Sequence, residues 1–137
     1  MRWLPDWLVP SRARSLPGQR WLNIALRTLH LCGIAGIGGG FLYAADAELW
    51  RGWLWLTLLS GLGLVALSVW SEGVWLLQVR GQAVMLKLLL LAAVDVWPQA
   101  TPWLFLLVIV ISSVVAHAPG RVRYYSVWHG RRIDQQR

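Results

Sequence analysis

From residue 22 to residue 45 the chain runs through apolar and small side chains, broken by few polar ones. That is long enough to cross a ~30 Å hydrocarbon layer as one helix, which takes ~20 residues. No other feature limits the fold as strongly. Inside a bilayer the backbone polar groups must be satisfied within the segment, so such a run is helical. Arg27 and His30 stand inside it, three residues apart and therefore on one helical face. Ionisable groups at membrane depth are costly, and where they occur they mark candidate functional sites.

The rest of the chain repeats the pattern. Of 137 residues, 57% are hydrophobic and 14% charged, and 11 are tryptophan. A soluble domain of this length has no core large enough to enclose so much apolar side chain. Four spans are predicted, at about 22–45, 53–70, 82–97 and 103–118, with Pro119-Gly120 as the stop signal of the last. Short turns join them, which predicts an all-α, integral membrane four-helix bundle of up-and-down topology. Residues 1–21 form a basic, proline-containing arm, whose Trp3 and Trp7 suit the headgroup layer. Residues 119–137 form a basic, aromatic tail. Ala45-Asp46-Ala47 resembles a signal-peptidase site, but the apolar stretch before it is too long for a signal core. An uncleaved first span is expected.

The formal net charge of +7 is concentrated around the first and last spans. Arg2, Arg12, Arg14, Arg20 and Arg27 precede or open the first; Arg121, Arg123, Arg131, Arg132 and Arg137 follow the last. By the positive-inside rule an even number of spans then leaves both termini in the cytoplasm of a cell with an inner membrane. The charge reports topology first and attraction to anionic lipid second, so the bilayer is the expected partner and nucleic acid is not. Arg27, Arg121, Arg123, Tyr124, Tyr125 and Trp128 are assigned to the membrane interface. Trp50, Trp53 and Trp55 read as an aromatic belt on the far side.

Helix packing in lipid rests on small residues. Cys32, Gly36 and Gly40 fall four apart on one face of the first span, and Ala35 with Gly39 makes a second row. These rows predict close approach of a neighbouring helix, within the bundle, in a homo-oligomer or in another membrane protein. Cys32 is the one cysteine, so no intramolecular disulfide can form.

Counted inward from the basic ends, Arg27, His30, Lys87, Ser112, Ser113 and His117 all fall toward the cytoplasmic half. Long basic chains such as Arg27 and Lys87 can snorkel to headgroups. His30 is shorter and sits deeper. It is either a buried histidine satisfied by Thr28, a serine or a backbone carbonyl, or a ligand to a metal or to b-type haem iron. Lys87 and His117 are the candidate second ligands, with Lys87 closer in level; His30 and His117 differ in depth by on the order of 10 Å. The sequence has no phosphate-cradling glycine loop, no Ser/His/Asp set at workable spacing and no mid-span carboxylate. No reaction is legible.

Leu26-Arg27-Thr28-Leu29-His30, followed by Gly38, Gly39 and Gly40, resembles the opening helix of copper-resistance protein D (CopD) domains. With Lys87 in Met85-Leu86-Lys87-Leu88, the same region is similar to the HemJ type of protoporphyrinogen oxidase. The resemblance covers roughly residues 22–97. It implies a small helical bundle with a haem-linked histidine at His30 and a lysine at Lys87. Ile37 stands where those families usually have tryptophan, and Ala93-Val94-Asp95-Val96 replaces a histidine that often closes the third helix. The expected role is therefore electron transfer or cofactor handling, with a non-enzymatic accessory or assembly subunit as the alternative.

Overall fold

The computed structural model describes residues 14–133. Residues 1–13 of the arm expected over 1–21, and the last four tail residues, lie outside the described residues; the arm's last three residues, 19–21, belong to α1. Helices dominate: α1 (Gln19–Tyr43), α2 (Ala47–Ser71), α3 (Val79–Ala92), α4 (Thr101–His117) and the single turn α5 (Gly120–Arg123), with 3-10 turns at Gly73–Leu77, Ala93–Asp95 and Pro98–Ala100. Three helical segments, Gln19–Tyr43, Ala47–Ser71 and Pro98–His117, are long and apolar enough to cross a membrane. The chain divides into two compact units, residues 15–68, and residues 69–133 with Arg14.

The first unit is a helical hairpin. Five glycines in α1 would weaken a helix in water by up to ~1 kcal/mol each relative to alanine. In lipid the need to satisfy backbone groups overrides that preference. The glycines instead make room for α2. A Cβ on Gly33 would fall on the backbone and hydroxyl of Thr57, one on Gly36 on the Trp53 ring, and one on Gly40 on the Trp50 ring. Leu26 meets Gly63 nearer the open end. Partner numbers fall along α2 as they rise along α1, which is the signature of antiparallel helices.

The hairpin turns within three residues. Ala44 takes the left-handed conformation (φ 51°), a non-glycine residue where glycine is usual, and its N–H returns to the Gly40 carbonyl. Trp50 closes the turn by donating its indole N–H to the Ala45 carbonyl at 3.1 Å and meeting Phe41 edge-on. Trp50 and Trp53 thus pack against glycine faces as well as lying where a belt was expected, and α2 begins at Ala47, six residues earlier than its apolar span. Cys32, Ala35 and Gly39 are exposed, and nothing approaches a Cβ placed on Gly39. The packed row is Gly33, Gly36, Ile37 and Gly40: Gly36 and Gly40 of the expected row face α2, and Gly33 stands in it where Cys32 was expected.

In the second unit α3 and α4 pack against each other, and the residues after α4 return to the start of α3, so the two helices are antiparallel. The expected third span of 82–97 is not one helix. At ~1.5 Å per residue the 14 residues of α3 reach about 21 Å, and a 3-10 turn extends them to Asp95. Gly81 is obligatory here, since a Cβ would collide with the Trp75 carbonyl. Beyond α4 the tail folds back. Tyr125 pairs with Arg132 and Ser126 with Arg131 in a two-rung antiparallel ribbon turned at Gly130 (φ 59°).

Most buried residues of this unit gather at that end, Val74, Trp75, Gln78, Ala83, Ser126 and Ile133, with Phe105 near the start of α4 as the exception. Along the helices the apolar side chains face outward instead. Leu62 is 66% exposed, Leu89 69% and Val114 63%. Water would not tolerate so continuous an apolar surface on a stable monomer, and lipid would cover it. The fold is all-α apart from the small ribbon, with membrane-length apolar helices.

The glycine contacts make a prediction. Gly36→Val should destabilise the hairpin by about 1–3 kcal/mol through overpacking against Trp53. Gly39→Val, on the open face, should cost at most a few tenths more than the helix propensity change. Thermal unfolding of both variants in one detergent, followed by circular dichroism, distinguishes them.

Candidate functional site

The polar centre of the first hairpin is His30. Its Nδ1 lies 2.9 Å from the Thr57 carbonyl and 3.3 Å from the Ser60 hydroxyl. A carbonyl can only accept, so Nδ1 carries the proton and donates across the helix interface. In the neutral form of the ring the lone pair is then on Nε2. Ser60 donates its own proton back along α2, to the Leu56 carbonyl at 2.5 Å, which leaves its oxygen able to accept from the imidazole. Ser60 is almost fully buried and His30 half-buried.

Gly61 gives the ring its seat. A Cβ at that position would stand 2.9 Å from Cε1 and 3.3 Å from Nδ1 of His30. Local sequence explains each part. Ser60 and Thr57 bond back to carbonyls one turn earlier in α2, as hydroxyls in helices do, and glycine follows where the ring must lie flat. Thr28, a partner considered from sequence, bonds back to Ile24 in its own helix. The carbonyl donor-acceptor pair and Gly61 were not identifiable from spacing along one helix. The signal was the Ser60-Gly61 step, whose register with His30 depends on the length of the turn.

The other candidate ligands fall in the second unit. Lys87 is half-buried on α3 and makes no hydrogen bond or ion pair with the described residues. His117 ends α4, exposed, with Nδ1 donating to the Ser113 carbonyl at 2.8 Å. Ser112 bonds back to Val108 at 2.7 Å. Among the described residues no group of three or more His, Cys, Asp or Glu side chains is placed to hold a metal ion. His30 and the pair Lys87 and His117 thus belong to different units.

The interface residues are distributed by end. Arg27 is exposed on α1. Arg121 is exposed on α5, Arg123 and Tyr124 are half-buried, and Tyr125 and Trp128 are exposed, Trp128 at 81%. Sequence reading left out Gln78, the most deeply buried large polar side chain. Its amide donates to the Ile133 carbonyl at 2.5 Å and its oxygen accepts from Arg80 Nε at 2.5 Å. A glutamine between an apolar 3-10 turn and an arginine is the only sequence signal for it.

The geometry implies a test. Gly61→Val should push the imidazole off its seat and break the bond to Thr57. In a 15N-histidine-labelled sample the Nδ1–H resonance of His30 should lose its slow exchange with water. In Ser60→Ala, which removes only the longer of the two contacts, it should persist.

Comparison with family models, with curated proteins and with solved structures returned no match to this chain.

Proposed function

We propose that the chain is a polytopic inner-membrane protein that binds a b-type haem through His30 and takes part in electron transfer or cofactor handling. The observation that supports it is the Nδ1–H bond to the Thr57 carbonyl. Ligating histidines almost always donate their other ring N–H to a carbonyl or carboxylate, which fixes tautomer and orientation. His30 has that arrangement in its bond to the Thr57 carbonyl.

The donor set favours a prosthetic group over a bare ion. A metal ion needs several protein ligands, and among the described residues no such group exists. His30 would hold a haem through one imidazole nitrogen, among the apolar side chains of α1 and α2. Bound haem supplies reversible one-electron chemistry. The protein's part is to hold Nε2 unprotonated and to exclude water. The resemblance to CopD domains and the HemJ type points the same way.

For topology, the arginines around the opening of α1 and those of the tail assign both termini to the cytoplasm by the positive-inside rule. With α3 and its 3-10 extension counted as a short crossing, the spans number four and form an up-and-down bundle. Asp46, Glu48 and Asp95 then fall on the outer side.

A second reading has its own observation. The His30 bond joins α1 to α2, so the histidine also serves as a clamp within the hairpin, while Cys32, Ala35 and Gly39 present an open face of small residues. That arrangement favours an accessory or assembly subunit docked to another membrane protein or to a second copy.

Protein purified from its native membrane in mild detergent separates the two. Haem binding gives a Soret band that His30→Ala abolishes and Lys87→Ala leaves in place. A preparation with no Soret band and intact helicity overturns the haem reading, and co-purifying subunits then support the second. Alkaline phosphatase fused after Asp46 or Gln99 should be active, and a fluorescent protein fused at the C-terminus should fluoresce; the reverse pattern would overturn the topology.

A further inference from the structure

Lys87, the chain's one lysine, stands in the middle of an apolar helical run. It is equidistant in sequence from Val79, where α3 begins, and from Asp95, where the 3-10 extension ends. At ~1.5 Å per residue either end is about 12 Å away along the axis. A stem of four methylenes covers about half of that, so the ammonium stops short of both ends of the run. Its depth follows from its neighbour: α3 packs along α4, and the segment containing α4, Pro98–His117, is long and apolar enough to cross a membrane. Met85, Leu86, Leu88 and Leu89 surround it in sequence as exposed apolar side chains, a surface for hydrocarbon.

The described surroundings offer this cation no counter-charge. Lys87 is half-buried and makes no hydrogen bond or ion pair with the described residues. On α4 the polar groups serve their own helix: Ser112 donates to the Val108 carbonyl, and the Ser113 carbonyl accepts from His117. A charged amine at membrane depth is costly unless it is paired, and where it occurs it marks a site.

The sequence limits where a partner can come from. Its six carboxylates are Asp6, Asp46, Glu48, Glu72, Asp95 and Asp134. Asp46 lies in the turn between α1 and α2, Glu48 in the first turn of α2, Glu72 just past the end of α2, and Asp95 at the end of the 3-10 extension. Asp6 and Asp134 belong to the polar terminal stretches of the sequence. No carboxylate stands in the interior of an apolar run, and a second copy of the chain brings only the same six. Headgroup phosphates lie outside the ~30 Å hydrocarbon layer, not at its middle. A carboxylate at that depth therefore belongs to another protein, and a segment that carries one across the bilayer beside α3 is a helix.

We propose that Lys87 docks a membrane-spanning helix of a different protein through an aspartate or glutamate near the middle of that helix. The site lies in the second unit and does not depend on haem binding at His30, which belongs to the first.

The test uses the full chain with a fluorescent protein at its C-terminus, reconstituted in phosphatidylcholine vesicles. The probe is a leucine-rich membrane-spanning peptide with one central aspartate, labelled with an energy-transfer acceptor. Transfer should saturate at one peptide per chain, with binding about tenfold tighter than for the same peptide carrying leucine at its centre. Lys87→Met should reduce binding to the level of the leucine peptide. Lys87→Glu should reverse the preference, toward a peptide with a central lysine. Arg27→Gln, which removes a cation from α1, should leave binding unaltered. If Lys87→Glu fails to fold, Lys87→Met, which removes a charge from an apolar helix, carries the test. Undiminished binding by Lys87→Met would overturn the proposal, as would equal binding of the leucine peptide or an equal loss in Arg27→Gln. Loss of the aspartate preference when phosphatidylglycerol is added to the vesicles would overturn it in favour of a lipid headgroup.

Discussion

The approach of α1 to α2 is set at Gly33, where the absence of a side chain lets the Thr57 backbone come up against the helix. One turn away, that separation decides what a short imidazole can touch. His30 reaches the Thr57 carbonyl at 2.9 Å because the helices are close, and its ring fits because residue 61 is also glycine. Interhelical hydrogen bonds in membrane proteins average only ~0.6 kcal/mol. The bond therefore does little to hold the hairpin together. The packing of glycine against threonine and tryptophan does that, and the hydrogen bond then fixes the ring's tautomer and direction. Helix packing and ring orientation come from neighbouring turns of the same interface.

Much of this architecture was legible because membrane helices advertise themselves by length and hydropathy. α1, α2 and α4 lie close to the apolar runs that announced them, and Pro98, Pro102 and Pro119 stand at helix ends where proline belongs. Contacts between helices were less legible, for one reason. Trp50 and Trp53 read as belt residues because tryptophan is enriched at interfaces, but a glycine face opposite gives the same residues a packing role. The expected stripe Cys32, Gly36, Gly40 follows ideal spacing on one helix, while the packed row depends on where the partner crosses. Periodicity describes one helix at a time, and a contact needs two.

The tail shows the same limit more sharply. Tyr125 suits a strand, but Tyr125-Ser126 and Arg131-Arg132 are too short to announce one, and two rungs would not hold alone in water. The ribbon exists because Ile133 and Ser126 are buried and because Gln78, more than fifty residues earlier, takes the Ile133 carbonyl. A sequence reading that assigned these residues to the interface by composition had no means of seeing that they fold. It follows that the arginines there are not a loose basic tail of the kind that attracts anionic lipid by average charge. Two of them, Arg123 and Arg132, stand against the ring of Tyr124.

That distinction bears on what each polar centre can do. A loosely held cation contributes to a field that extends about a Debye length and is screened by salt. A fixed one can match the oxygens of a particular group, as Arg80 already does with Glu72 and Gln78. The same reasoning applies to His30, which is short, half-buried and oriented by a carbonyl, whereas Arg27 on the same helix is long and exposed. Position in a membrane segment made both residues candidates. What separates them is orientation: a ligand must meet a lone pair that the protein has already aimed, and of the two only the imidazole has a described bond that aims it.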